Sequence, residues 1–283
     1  MAMPMTADQM VAQMKKWNVP YKEYAGWRTR RRPGAFTDIR GVIIHHTGSD
    51  AGQSDGYLDF LFKTGRPESG IPGPLCHVAT DMDGDLHLGA IGRANHAGKG
   101  SSSTLAKVTT ENYPGYAAEI RAGSDNTDGN AHFYGNEVRY DGGQPMTAKQ
   151  YDAAVRWAAA ICDFYGWSAL SVIGHREWTT RKPDPGNCPM NKFRADVAAL
   201  LKSGPSSKAD STAPEDPTVS DTYYAHVHAK ACAVTLEGVF PKIGMTPPTR
   251  PTETGTGDAY FAHYWAKHAA NLAVLIDTKL TNA

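Results

Sequence analysis

Nowhere does this chain approach the roughly 18 consecutive apolar residues of a membrane-spanning helix. Its N-terminus also has no charged head followed by an apolar stretch, the pattern of a secretory signal. The expectation is synthesis in a cytoplasm and no stable membrane association. An excess of either charge is missing as well: 29 Lys and Arg face 29 Asp and Glu, for a formal net charge of zero. No bulk field then argues for nucleic acid as a partner. Cysteine is scarce, and Cys76, Cys162, Cys188 and Cys232 form neither a paired framework nor the C-x-x-C of a structural zinc site. They read as reduced thiols. At 283 residues, the chain suggests one catalytic domain with something smaller attached.

Chemistry-bearing side chains concentrate in two stretches. Gly41 to Thr47 reads GVIIHHT and delivers His45 and His46 at the end of an apolar, β-branched run, while Val172 to Pro189 reads VIGHREWTTRKPDPGNCP. A catalytic zinc takes three ligands from His, Asp, Glu or Cys and keeps a fourth position for water, which it acidifies toward neutral pH. A buried strand would hold the imidazole at 45 rigidly, and His175 follows a second apolar pair, Val172 and Ile173, capped by Gly174. Two strand ends thus supply two fixed ligands. The third comes from the loop after His175, where Asp184 lies nine positions on and Cys188 thirteen. Pro183 and Pro185 flank Asp184 and restrict its backbone. Residue types alone leave the bland alternative open, an ordinary strand end and a surface histidine with no metal.

Taken together, IIHHT, GHREW and RKPDPG resemble the zinc-dependent type 2 N-acetylmuramoyl-L-alanine amidases, the family that includes peptidoglycan recognition proteins and many phage endolysins. The resemblance implies Zn2+ held by His45, His175 and Asp184, with Lys182 two places before the last ligand. Cys188, the other candidate, lacks a lysine at that offset. The loop from His175 to Asp184 is one residue shorter than the common form of the motif. Between the anchors, Pro72 to Gly98 resembles the family's central hairpin, turning at Asp83 and Gly84 and ending in an HAG tripeptide at His96. Many members carry a tyrosine in its first strand, where this chain has Cys76 followed by His77. His46, His77 and His96 are expected along the substrate groove. In HFYGNEVRYDG the resemblance makes Glu137 the general base, and Lys182 would stabilise the oxyanion.

The implied activity is hydrolysis of the amide joining the lactyl group of N-acetylmuramic acid to the first L-alanine of the stem peptide, with bacterial peptidoglycan as partner. The missing signal suits an endolysin made in the host cytoplasm and released to the wall through a separate holin-type pore. An intracellular muropeptide-recycling amidase fits the same absence, and a non-catalytic peptidoglycan receptor is the competing class.

Periodicity supplies the frame. Thr6 and Gln9 predict a capping box for a short helix within Met1 to Trp17, and Thr147 with Gln150 predicts another for Thr147 to Tyr165, closed by Gly166. Helices are also expected over Tyr57 to Lys63 and Met190 to Lys202. Gly98 to Gly129 reads as loops, with one ordered piece near Tyr116 to Ile120, and WRTRRRP, from Trp27, as a solvated basic loop. Strands alternating with helices predict an α/β fold, a central mixed β-sheet covered by helices, over residues 1–202. A Ser- and Pro-rich linker over 203–221 and a small, mainly helical C-terminal module over 222–283 follow. Wall binding is the expectation for that module. Metal binding by its His226, His228, His263 and His268 is not expected.

Overall fold

The computed structural model describes residues 2–48, 56–114 and 123–205. The first helix, α1 (Ala7–Lys16), opens on the expected capping box, in which the Gln9 N–H donates to the Thr6 hydroxyl and the Thr6 N–H donates to the Gln9 carboxamide. Strands β1 (Tyr21–Glu23) and β2 (Gly41–His46) follow, then α2 (Gly56–Asp59), which runs on into a π-helical turn over Phe60–Thr64. A two-residue ribbon, β3 (Gly65–Arg66) with β4 (Ile71–Pro72), precedes β5 (Val78–Thr80) and β6 (Leu86–Leu88). Next come β7 (Lys99–Ser101), α3 (Ser102–Thr110), β8 (Asp125–Asp128) and β9 (Phe133–Val138). The last elements are α4 (Ala148–Tyr165), β10 (Val172–Gly174), α5 (His175–Trp178) and α6 (Met190–Ser203).

Six strands form one mixed sheet in the order β1-β6-β5-β9-β2-β10, and the β5–β6 hairpin is its one antiparallel pair. The expected α/β class, a mixed sheet under helical cover, is what the chain adopts. In β2 the pleat sorts alternate side chains to opposite faces. Val42 and Ile44 join the larger core with Trp157 and Ile161 of α4 and Phe193 and Val197 of α6. Ile43 joins Phe133, Ile173 and Trp178 in a smaller core on the other face. His45 continues that second face. The three isoleucine and valine side chains are fully buried, which fixes the register of the strand that carries the histidines.

Helix α4 begins and ends where its caps predict: the Gln150 N–H donates to the Thr147 hydroxyl, and Gly166 closes it at φ +70°. Cys162 is buried in its packed face. Two regions differ from expectation. Within Gly98 to Gly129, the described residues hold β7, α3 and β8 instead of plain loop. The Ser101 hydroxyl caps α3 by accepting from the Thr104 N–H, and Thr104 and Val108 are its buried residues, so a Ser- and Thr-rich composition conceals a helix. The ordered piece near Tyr116 to Ile120 falls outside the described residues. The basic run is pinned to the body: Arg28 pairs with Glu23 and Asp8, Arg30 donates to the Gly89 carbonyl, and Trp27 is buried. The expected linker past residue 205 and the C-terminal module also lie outside the described residues.

Candidate metal centre and active site

Three parallel neighbours deliver the site. Residues Val172, Ile173 and Gly174 of β10 pair with Val42, Ile43 and Ile44 of β2, so the chain leaves β10 beside His45 and places His175 at the first position of α5. On the other side β9 sets Glu137 opposite His45 in register. Asp184 arrives from the loop after α5. Its carbonyl accepts from the Arg176 N–H at 2.8 Å, while the Arg176 guanidinium donates to the carbonyls of Pro185, Gly186 and Cys188. That staple fixes the path of the shortened loop.

The side chains at 45, 175 and 184 meet. His45 Nδ1 lies 3.0 Å from His175 Nδ1 and 2.9 Å from Asp184 Oδ2, and His175 Nδ1 lies 3.0 Å from the same oxygen. Exposure is 1%, 4% and 6% at the three residues, so bulk water screens their polarity little. The outer ring nitrogens decide the tautomers, because a carbonyl only accepts. His175 Nε2–H donates to the Ala97 carbonyl at 3.2 Å, which leaves its Nδ1 bare. His96 Nε2–H donates to the Phe133 carbonyl at 2.8 Å, so His96 Nδ1 must accept, and it takes the Nε2–H of His45 at 3.0 Å. His45 Nδ1 is then bare as well.

Three lone pairs therefore face one another with no hydrogen between them. A single proton serves one edge of such a triangle; a divalent cation serves all three corners. Tetrahedral zinc, with ligand bonds of about 2.0–2.2 Å, spreads its ligand atoms roughly 3.3 Å apart, a small expansion of the observed triangle. The two-histidine, one-carboxylate set suits zinc on distance and on chemistry. Burial pushes the His45 imidazole down to about 4, keeping it neutral as a ligand must be. Cys188 is elsewhere, packed in the larger core with its thiol pushed up to about 12 by burial. The only group with metal-ligand spacing among the described residues is His45, His175 and Asp184.

Above the triangle lies a cleft of about 230 Å³ lined by His46, His96, Glu137, His175, Lys182 and Asp184, among others. Burial and the nearby Asp184 charge push the Glu137 carboxyl well above its usual range, although Lys182 and Arg66 pull the other way. Lys182 itself is exposed. A second pocket of about 530 Å³ shares Arg66, Asn95, His96, His175 and Lys182 with the first, so the groove continues past the triangle along Lys99 and Arg181.

The remaining sequence candidates separate. His46 sits on the opposite side of the strand from His45, where its Nδ1 accepts from the Gly186 N–H at 2.9 Å and its ring meets Tyr140 edge-on. A side chain at Gly142, where φ is +84°, would collide with that ring. His96 reaches the cleft wall with both ring nitrogens already bonded to protein. His77 does not reach the groove. It is fully buried, its Nδ1 accepts from the Gly135 N–H, and its ring stacks on Phe36. Sequence reasoning missed Asn130, the Ala97 carbonyl and the Arg176 staple, all of which act through the fold.

Such a site, a buried two-histidine, one-carboxylate triangle at the carboxyl ends of parallel strands beneath a groove with a carboxyl and an ammonium group, defines an α/β protein with a place that could hold one metal ion. The chain belongs to the N-acetylmuramoyl-L-alanine amidase family, whose profile matches residues 35–187 and thus every site residue named above. The family's activity is peptidoglycan amide hydrolysis. Among solved structures, the chain is similar to the endolysin N-acetylmuramoyl-L-alanine amidase LysCS from Clostridium intestinale, at 15% identity and TM-score 0.42 over 63% of this chain and 95% of that one. It is similar also to the Ph2119 endolysin from the Thermus scotoductus bacteriophage Ph2119, at 15% identity and TM-score 0.40 over 63% and 99%. Drosophila peptidoglycan recognition protein SA matches at 16% identity and TM-score 0.42 over 62% and 91%. No curated protein matches the chain.

Proposed function

We propose that this protein is a zinc-dependent amidase that cleaves the bond between the lactyl group of N-acetylmuramic acid and the first L-alanine of the stem peptide. The observation that carries the reading is the triangle of three bare acceptors on the floor of a groove. A zinc ion held by His45, His175 and Asp184 would supply Lewis acidity, polarising the scissile carbonyl and acidifying a water.

The chain's own groups do the rest. Glu137, opposite His45 in register and half-buried, takes the proton of the attacking water and returns it to the departing amide nitrogen. Its raised carboxyl pKa suits both halves of that transfer, since a stronger acid would hold the proton too weakly to deliver it. Lys182, at the cleft mouth, offers fixed positive charge to the oxygen that becomes anionic as the carbonyl turns tetrahedral. The groove running past the triangle into the second pocket gives a linear polymer room on both sides of the scissile bond.

The biological setting we propose is phage lysis: an endolysin accumulating in the host and reaching the wall through a holin-type pore. Dye release from labelled wall, with and without chelator, tests the chemistry, and mass spectrometry of the digest identifies the bond cut. Release that survives complete zinc removal overturns the mechanism, and zinc-loaded protein that binds wall without cutting it is a receptor. Lysis of producing cells only when a pore-forming protein is co-expressed supports the endolysin setting, and lysis without one argues against it.

A further inference from the structure

One side chain outside the proposed machinery touches the supports of both imidazoles. The Asn130 carboxamide oxygen accepts from three consecutive backbone N–H groups, those of His96 at 3.0 Å, Ala97 at 2.8 Å and Gly98 at 3.1 Å. Asn130 is 7% exposed and sits in a tight turn whose own N–H donates to Asp128 Oδ1 at 3.1 Å. The turn is tied back to the same segment, because the Gly129 N–H donates to the Gly98 carbonyl at 2.8 Å. One oxygen thus gathers the backbone of the HAG tripeptide.

Those three residues carry the two acceptors that settle the tautomers. The His96 ring takes the Nε2–H of His45, and the Ala97 carbonyl takes the Nε2–H of His175. The strand beside His96 is shaped to match: a Cβ on Gly135 would come within 2.4 Å of its Nδ1. Should the tripeptide drift, neither imidazole would keep its proton on Nε2, and either Nδ1 could gain one and cease to be a ligand.

We propose that Asn130 is a positioning residue for both metal-binding histidines, locking them into the tautomer with a bare Nδ1 through the backbone of His96, Ala97 and Gly98. The proposal rests on the metal-centre reading above, but its test does not depend on turnover. In the metal-free full chain, long-range proton–nitrogen spectra report each imidazole tautomer, and titration with zinc against a competing chelator gives affinity. Asn130→Leu, similar in size but without an acceptor, should show mixed tautomers at 45 and 175 and bind zinc about 10–100-fold more weakly. Asn130→Asp retains an oxygen acceptor and should stay near the unaltered protein in both readouts.

A folded Asn130→Leu with unaltered tautomers and affinity overturns the proposal, as does Asn130→Asp behaving like Asn130→Leu. If Asn130→Leu does not fold, Asn130→Ser is measured in the same way. If neither folds, Asn130 serves the fold alone and the proposal fails. Failure of the unaltered protein to bind zinc would instead sink the metal reading, while the metal-free spectra would still judge Asn130.

Discussion

Two buried polar clusters each take a residue from α5, and they differ in whether opposite charges meet within them. Glu177 and Arg194, at 1% and 0% exposure, meet in a two-pronged ion pair of 2.9 and 3.0 Å. The Gly174 N–H also donates to the Glu177 carboxylate, and Arg194 donates to the Val172 carbonyl. The two opposite charges balance within that pair. Two residues before Glu177, His175 joins His45 and Asp184 in a set equally buried and equally close but made of acceptors alone. Burial and proximity are common to both clusters, and what distinguishes a site from a strut is the sign of what is missing.

The comparison can be broken in order of expected effect. On the proposed reading, His175→Ala takes away a ligand and with it several kcal/mol of transition-state stabilisation, so wall hydrolysis should fall by roughly a thousandfold or more. Bound zinc, measured by elemental analysis, should fall with it while the circular dichroism spectrum is kept. Glu177→Ala should do the reverse. An unpaired buried arginine costs about 3–5 kcal/mol of stability, seen as a lower denaturation midpoint, with unchanged zinc per folded molecule. Were Glu177→Ala to lose zinc at full stability, the two clusters would not be separable as described.

Glu137→Gln sharpens the metal side alone. It should lower kcat by about 10²–10⁴-fold and leave zinc content as it is. Loss of zinc in that variant would make Glu137 a ligand instead of a base.

The smallest effect concerns pH. Burial holds His77 down at about 3 against an ordinary 6.5, so between those values the unfolded chain binds a proton that the native one does not. Stability is therefore full above 6.5 and declines as the pH falls through that window. His77→Phe should flatten this part of the midpoint-against-pH curve in metal-free protein, and an unchanged slope would show that the imidazole is not the group responsible.

Much of the frame was legible because its signals are local. The apolar run at 42–44 announces a buried strand, and two Thr-x-x-Gln boxes announce helices that begin at Ala7 and Ala148. His45, His175 and Asp184 could be singled out from motif spacing, although only the fold shows their lone pairs converging. Helix α3 was not legible, since tertiary contacts at Thr104 and Val108 stabilise a segment whose composition reads as loop. The fate of His77 was equally hidden: nothing in its neighbours tells that Phe36, some forty positions earlier, closes over it. Nor does any motif mark Asn130, whose partners are fixed by where two turns meet.

The pleat of β2 carries a last consequence for anyone editing this gene. Adjacent histidines at 45 and 46 look interchangeable on paper, yet they occupy opposite faces of the ribbon. Deleting one codon between 41 and 44 would hand the place of His45 in the triangle to the wrong neighbour and turn the aliphatic anchors on one side of the deletion inside out. A single missing triplet there should be more damaging than many outright substitutions, whereas the same deletion in the short β3–β4 turn, at the exposed rim, should leave the ribbon in phase.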